Sequence, residues 1–193
     1  MKKTLAVILA MAMLAVCMTG CGIVKIIPKG EEAKYTGVEE FDASAEAAGD
    51  WANIQSEIVG KAADLAETLA ADENGTTYCV TFTGTVEEYN TDSPKGYLRV
   101  TVDGVDEEIQ VAVGSVFSGT TVRDSQTFKE YGDFTNQTEW SAYAKTVNAE
   151  VLTNVIEPLG DLSALIGAKV DVVGCYTPGP SAVVVTPVSV TVQ

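Results

Sequence analysis

The stretch "TTYCVTFTGTVEEY", residues 76–89, decides the fold because its apolar and polar residues alternate. Val80 and Phe82 fall on one face of an extended chain and Cys79 falls on the other, a period of two that is typical of a strand. Gly84 interrupts the run halfway, which predicts a bulge or a sharp coil at that point. We therefore expect a long first strand that bends at its middle.

Four further stretches have the composition of strands, and the first two of them extend the initial strand into a meander. The dipeptide Asp103-Gly104 is a strong hairpin-turn signal between the second and third strands. Because proline cannot donate a backbone hydrogen bond, Pro187 predicts that the last strand is broken there or lies at a sheet edge. The four stretches are "YLRVTV" (97–102), "EEIQVAV" (107–113), "AKVDVVGCYT" (168–177) and "AVVVTPVSVTVQ" (182–193).

Two segments have apolar residues at steps of three or four, which predicts two amphipathic helices that pack on the core. The first helix begins at a cap formed by Asp42 or Ser44 and ends at "ENG" (73–75). The second ends at Pro158 and Gly160. The apolar stripes are Trp51, Ile54, Ile58, Ala62, Leu65 and Leu69 in the first helix, and Trp140, Ala144, Val147, Val151 and Val155 in the second.

The order of these elements is helix, three strands, helix and two strands, which resembles an OB-fold. We therefore predict a mainly β protein with two helices (α+β): a five-stranded, partly open barrel. An N-terminal amphipathic helix precedes the barrel, and the second helix lies between strands 3 and 4. The alternative is an α+β sandwich with both helices on one sheet face.

The N-terminus "MKKTLAVILAMAMLAVCMTGCG" (1–22) combines two lysines, a short apolar run and small residues that end at a cysteine. This is the pattern of a secretion signal rather than of a membrane span. The segment ending at Cys21 resembles a bacterial lipobox, in which the cysteine receives the lipid and becomes the first mature residue. The match at Cys17 is weaker because Val16 is larger than the residue expected before the cut. Secretion without a lipid is the alternative.

These features divide the chain into a signal peptide (1–20), a lipid anchor and tether (21–41) and a single domain (42–193). The protein is expected in the cell envelope, as a membrane-anchored lipoprotein that faces the periplasm or the cell exterior. Loss of two lysines with the signal peptide lowers the formal net charge from −15 to −17. Because nucleic-acid binding depends on Lys and Arg neutralising phosphates, this charge argues against a nucleic-acid partner.

The chain contains no histidine, so the commonest general base and the commonest metal ligand are both absent. Serine-histidine catalysis, cysteine-histidine catalysis and most zinc sites are thereby excluded. The acidic run "DGVDEE" (103–108) lacks the spacing of an EF-hand and is expected to be a solvated turn. We predict a protein that is not an enzyme and has no metal site and no cofactor.

Two cysteines remain in the mature domain besides the anchor. In an OB barrel the first and fourth strands pair antiparallel; Cys79 lies on the first, Cys175 lies on the fourth, and both fall on the outer face. They are candidates for a disulfide in an oxidising envelope, where the bond would stabilise a small barrel rather than perform redox chemistry. A pair of buried free thiols is the alternative.

The most chemically dense stretch is "EYGDFTNQTEW" (130–140), which follows an Arg-Asp pair. One interpretation is a binding cleft, because planar polar groups and an indole face are suitable partners for a sugar. The other is a helix start, in which the polar side chains satisfy backbone amides. If Trp140 and Tyr131 belong to the core, a stacked-sugar site is lost. The candidate binding residues are Arg123, Asp124, Asn136, Gln137, Glu139 and Trp140.

Several of these segments together resemble the family of predicted periplasmic lipoproteins known as domain of unknown function 2291 (DUF2291). The segments are "CGIVKIIP" (21–28), "FDASA" (41–45), "GSVFSGTTVRD" (114–124), "DFTNQTEW" (133–140) and "VVVTPVSVTVQ" (183–193). The family has no established activity. Its members are often encoded near sugar-type ABC transporter components, so the resemblance implies a transport-linked role.

The first functional hypothesis is a non-catalytic envelope lipoprotein that serves as a protein-binding accessory component of a sugar-type ABC transport system. Its partner would be the transporter or its solute-binding protein, and the lipid on Cys21 would hold it at the membrane. The alternative is a module that binds a carbohydrate or another small ligand directly.

Overall fold

The computed structural model describes residues 41–70, 75–180 and 182–193. The predicted signal peptide, Cys21 and all of the predicted tether except Phe41 lie outside these residues. The helices are α1 (Ala43–Lys61), α2 (Leu65–Ala70), α3 (Thr121–Ser125) and α4 (Gln137–Val151), with π-helical and 3-10 turns continuing from Leu152 to Leu159. The strands are β1 (Ala63–Asp64), β2 (Tyr78–Asn90), β3 (Tyr97–Val102), β4 (Ile109–Ala112), β5 (Lys169–Tyr176) and β6 (Val183–Val192).

Five of the strands form a closed barrel in the order β2-β3-β4-β6-β5. Strand β2 pairs antiparallel with both β3 and β5, and β4 pairs parallel with β6. The pairing of β2 with β5 joins the two ends of the sheet and closes the barrel. This is the strand order of an OB barrel, and the predicted fold is confirmed. The short β1 adds a sixth strand that runs parallel to β2 outside the barrel.

Gly84 lies in the interior of β2, where it pairs with β3 on one side and with β5 on the other. The predicted bulge is not at this residue, because the register shift falls between Val86 and Glu88. A Cβ atom at Gly84 would overlap Val100 and would lie 2.7 Å from the Thr101 carbonyl oxygen. Glycine is therefore required here because the neighbouring strand β3 approaches its backbone closely.

The first helix is shorter than its apolar stripe predicts. Helix α1 ends at Lys61, Ala62 is extended, and β1 separates α1 from α2. The Asp64 carboxylate accepts hydrogen bonds from the backbone N–H groups of Ala66 and Glu67, at 2.9 and 3.2 Å, and so caps a new helix. The single helix predicted through Leu69 is wrong for this reason.

The core lies inside the barrel and beneath helices α1 and α4, which pack against each other. Tyr143 of α4 is fully buried, and its hydroxyl donates a 2.9 Å hydrogen bond to the Asp50 carboxylate of α1. Pro187 lies in β6 beyond the three residues that pair with β4, next to a register shift against β5. The strand tolerates proline there because its ladder is already irregular.

Candidate functional site

Helix α3 places Arg123 against the start of α4, where the residue is 9% exposed. Its Nε and Nη2 atoms donate to Asp124 Oδ1, at 2.8 and 2.6 Å, and its Nη1 atom donates to the Trp140 carbonyl oxygen at 3.3 Å. The guanidinium carbon lies 4.0 Å from the centroid of the Trp140 ring. We call these three residues the Arg123 cluster; its donors are directed at protein groups.

The aromatic residues of this region differ in exposure. The half-buried Trp140 ring lies 4.9 Å from the ring of Phe134 and 6.1 Å from that of Tyr143, in addition to its contact with Arg123. Tyr131, by contrast, is 54% exposed. A sugar cannot stack on the Trp140 face that the guanidinium covers.

Asn136 and Glu139 belong to the start of α4. Asn136 Oδ1 accepts from the Glu139 backbone N–H at 3.0 Å, and the Glu139 carboxylate accepts from the Thr135 N–H at 2.9 Å and from Asn136 Nδ2 at 3.2 Å. Gln137 is exposed and lines a shallow surface depression to which Arg123 does not contribute. The structure thus brings together Arg123, Asp124 and Trp140, and uses Asn136 and Glu139 in capping the helix.

A cavity of about 420 Å³ lies on the outer face of the barrel, and no sequence motif indicated it. Strands β3, β4 and β6 form its floor, and the loops before β3, after β4 and after β5 form its rim. Six lining residues carry hydroxyl groups: Ser93, Tyr97, Ser118, Thr121, Thr177 and Thr186. The others are Lys95, Gln110, Ala112, Val116 and Val184. We call this cavity the barrel cleft.

The barrel cleft differs in charge from the rest of the chain. None of its described lining residues is acidic, although the chain carries 27 Asp and Glu against 12 Lys and Arg. Lys95 is the one cation among the described lining residues, and it forms no ion pair with any described residue. Val116 and Val184 are about half exposed and supply apolar surface. Such a lining can hydrogen-bond an uncharged polar ligand and pack against its apolar face.

Two glycines hold the rim of the barrel cleft together. The Gly96 carbonyl oxygen accepts from the backbone N–H groups of Val113 and Gly114, both at 2.9 Å, and the Val116 N–H donates to the Pro94 carbonyl oxygen at 3.0 Å. A Cβ atom at Gly114 would overlap the backbone of residues 94–96. Glycine at this position therefore allows the loops before β3 and after β4 to touch.

Cys79 and Cys175 face each other directly across the β2–β5 pair, with their Sγ atoms 3.8 Å apart. Both are free thiols in this structure, and the disulfide stays a prediction. Within the described ranges, no group of three or more Cys, Asp or Glu side chains is arranged to hold a metal ion. No helix in the described part of the chain is long and apolar enough to cross a membrane.

Comparison with known proteins places the chain in a family. The family model for a predicted periplasmic lipoprotein, DUF2291, matches residues 11–191. The chain belongs to the DUF2291 family. This DUF2291 protein is accordingly a lipoprotein of the cell envelope, anchored to a membrane through its lipid.

The fold of this DUF2291 protein has a counterpart among solved structures. A crystal structure of an OB-fold protein from Thermotoga maritima is similar to it, with a TM-score of 0.64 and 16% sequence identity. The match covers 80% of this chain and all of that one. At this identity the likeness establishes the fold alone. None of the curated proteins compared with the chain matches it.

Proposed function

We propose that this DUF2291 lipoprotein is a non-catalytic carbohydrate-binding protein that holds an uncharged sugar in the barrel cleft. The observation that carries the proposal is the lining of the cleft: its described residues include six with hydroxyl groups, one amide and no acidic residue, in a strongly acidic protein. Hydroxyl and amide groups donate and accept hydrogen bonds as sugar hydroxyls require. The proposal selects the direct-binding alternative over the protein-partner hypothesis.

The dimensions and position of the barrel cleft support a small ligand. Its volume of about 420 Å³ lies within the range of small-molecule sites, roughly 300–1,000 Å³. OB barrels bind oligosaccharides and oligonucleotides on the face of their second and third strands, between two adjacent loops. Here those strands are β3 and β4, on which Tyr97 and Gln110 lie. The fold supports the location of the ligand, whereas the lining of the cleft supports the ligand class.

The charge of the protein and of the cleft further restricts the class of sugar that can bind. An anionic sugar would approach a chain of net charge −15 against long-range repulsion. A cationic amino sugar would find no described carboxylate in the cleft to pair with its ammonium group. An uncharged glycan is not repelled by the net charge and has no ammonium group that needs a carboxylate partner. We therefore expect neutral glycans to bind best.

The same lining argues for binding rather than for catalysis. A serine or threonine hydroxyl becomes a nucleophile only beside a general base, and the cleft offers no histidine and no described carboxylate. Glycoside hydrolysis needs two carboxyl groups on either side of the scissile bond. We therefore propose that a bound sugar leaves the cleft unchanged.

A glycan array probed with the detergent-solubilised full-length protein tests this function. We expect neutral glycans to bind and Gln110→Ala and Tyr97→Ala to weaken that binding at least about tenfold, since each removes a hydrogen-bonding contact worth about 1–3 kcal/mol if buried. Gln137→Ala is the matched control, because it removes an equally polar side chain outside the cleft. Equal loss in Gln137→Ala and Gln110→Ala, or binding confined to charged glycans, would contradict the proposal.

A second candidate function is the accessory role in a sugar-type ABC transport system. Two aromatic residues between α3 and α4, Phe128 and Tyr131, are 40% and 54% exposed. The segment is held to α1 by Lys129, which pairs with Glu46 and lies 3.5 Å from the Asp50 carboxylate. Exposed aromatic residues on a fixed segment are suitable contacts for a protein partner.

Crosslinking in the native envelope, followed by affinity purification and mass spectrometry, tests the accessory role. Recovery of transporter subunits or a solute-binding protein with the wild type is expected. The double variant Phe128→Ser/Tyr131→Ser should lose them, whereas Gln137→Ala should retain them. If the double variant recovers the same proteins as the wild type, Phe128 and Tyr131 are not the contacts for the partner.

A further inference from the structure

The two cysteines of the barrel lie directly opposite each other on paired strands but differ in how much of each is exposed to solvent. Cys175 is fully buried, whereas Cys79 is partly exposed. Cys79 opens into a second surface cavity of about 360 Å³, separate from the barrel cleft, and Lys61, Ser125 and Asp124 also line it. We call it the thiol cavity. A reagent in the thiol cavity can reach one sulfur of the pair and not the other.

The side chain of Lys61 is fixed at the mouth of the thiol cavity. Its ammonium group donates to the Ser125 carbonyl oxygen and, at 2.9 Å, to Glu57 Oε1. Glu57 in turn accepts from the backbone N–H of Thr127 at 3.1 Å, so the α1 end and the segment after α3 hold each other. A fixed cation beside Cys79 favours the thiolate over the thiol.

The two thiols are also distinguished by their acidity. A hydrogen bond from Cys175 lowers the pKa of Cys79 to about 7, helped by the Ser125 side chain and by the charge of Lys61, while burial and the charge of Glu57 act against it. The pKa of Cys175 is raised, by its hydrogen bond to Cys79 and by burial. The accessible sulfur is thus the one that ionises first.

From this geometry we propose that Cys79 and Cys175 form a reactive dithiol that undergoes exchange with a small-molecule disulfide bound in the thiol cavity. Cys79 is the attacking thiol and Cys175 is the resolving thiol. The sequence alone supports only a structural bond. The structure adds the sequence in which the two thiols react, because they lie directly opposite each other with their sulfurs 3.8 Å apart and only Cys79 is accessible.

The exchange proceeds in two balanced steps. The Cys79 thiolate attacks one sulfur of the donor disulfide, forms a mixed disulfide with it and releases the other half of the donor as a thiolate. Cys175 then loses its proton and attacks Cys79 Sγ, which displaces the second half of the donor. The chain gives up two electrons and two protons to become a disulfide, and the donor is reduced to two thiols.

The second step needs no large rearrangement. Direct partners in an antiparallel pair have Cβ atoms about 4.5–5.5 Å apart, and a disulfide needs them at about 3.5–4.5 Å. Small adjustments of two facing strands can close this difference. The buried position of Cys175 also keeps it from reacting with the donor before Cys79 does.

Reaction of the full-length protein with 5,5′-dithiobis(2-nitrobenzoate) tests the proposal. The wild type should release two thionitrobenzoate ions per chain and retain no adduct, because Cys175 resolves the mixed disulfide. Cys175→Ser should release one and retain one. Cys79→Ser should react at least about tenfold more slowly, since only a fully buried thiol remains. The double variant measures any release from cysteines elsewhere in the chain.

A stable adduct on the wild type would overturn the resolving role of Cys175, and equal rates for Cys79→Ser and Cys175→Ser would overturn the attacking role of Cys79. A second measurement needs no substitution. Brief treatment of the folded wild type with substoichiometric iodoacetamide should label Cys79 and spare Cys175 when the peptides are mapped. Equal labelling of the two, or labelling of neither, would refute the proposal.

Discussion

Replacing Arg123 with alanine tests whether the Arg123 cluster is a structural element. Arg123 is 9% exposed, and the substitution removes its two contacts to Asp124, its contact with the Trp140 carbonyl oxygen and its position over the Trp140 ring. A residue that served only a ligand would leave the stability of the protein unchanged. We expect Arg123→Ala to destabilise the fold.

The magnitude follows from the contacts that are lost. The cation–π contact contributes about 0.5–2 kcal/mol, and a hydrogen bond from a charged donor contributes about 1.5–3 kcal/mol. The Asp124 side chain is 38% exposed, so water rehydrates much of the carboxylate that remains. We therefore expect the free energy of unfolding to fall by about 3 kcal/mol, which lowers Tm by about 6–12 °C in a protein of this size.

Thermal unfolding of the solubilised protein, followed by circular dichroism, measures this effect. The matched control is Arg99→Ala, which breaks a 2.7 Å ion pair with Glu88 on the barrel surface, where the arginine side chain is 46% exposed. Such an exposed pair contributes less than about 1 kcal/mol. Equal shifts in Tm for the two variants, or no shift for Arg123→Ala, would refute the reasoning.

Three further predictions follow from other parts of the molecule. In thermal unfolding, Gly114→Ala should lower the free energy of unfolding by about 1–3 kcal/mol, because its methyl group overlaps the opposite loop. Gly49→Ala, in open space on α1, should raise the free energy of unfolding by up to about 1 kcal/mol. The rate of Cys79 alkylation should rise about tenfold per pH unit below pH 7 and level off above it, since the pKa of about 7 sets the thiolate fraction; levelling only near pH 9 would contradict this. Cys21→Ala should release the protein from membranes in fractionation, and retention would exclude lipidation at that residue.

The five barrel strands could be predicted, most clearly where a period of two survives, as at Val80 and Phe82 of β2. The short β1 was not predicted, because its two residues fell within the expected first helix. The break after Lys61 could not, since Leu65 and Leu69 continue the helical stripe of α1 and the capping contacts of Asp64 appear only in three dimensions. The bulge expected at Gly84 lies instead between Val86 and Glu88, and the close approach of β3 to Gly84 was not predicted. A glycine inside a strand permits either a bulge or a close backbone approach, and the sequence does not distinguish the two.

The candidate site could not be predicted from the sequence for a different reason. Many functional groups lie close in sequence around Asn136 and Glu139, which predicts a binding site. The same closeness lets these groups form hydrogen bonds with one another instead. The barrel cleft takes its lining from loops and strands between residues 93 and 186. Most of these residues are serine, threonine and valine, which carry no motif. Only the fold brings them together.

The central claim is that an uncharged sugar binds in the barrel cleft and not at the Arg123 cluster. Photocrosslinking of the full-length protein with a pool of photoactivatable neutral oligosaccharides, followed by peptide mapping, tests it most directly. We predict labels on the peptides that carry Tyr97, Gln110 and Val184, with competition by the unmodified oligosaccharides. Labels concentrated on residues 123–140, or labelling that free oligosaccharide does not reduce, would contradict the claim.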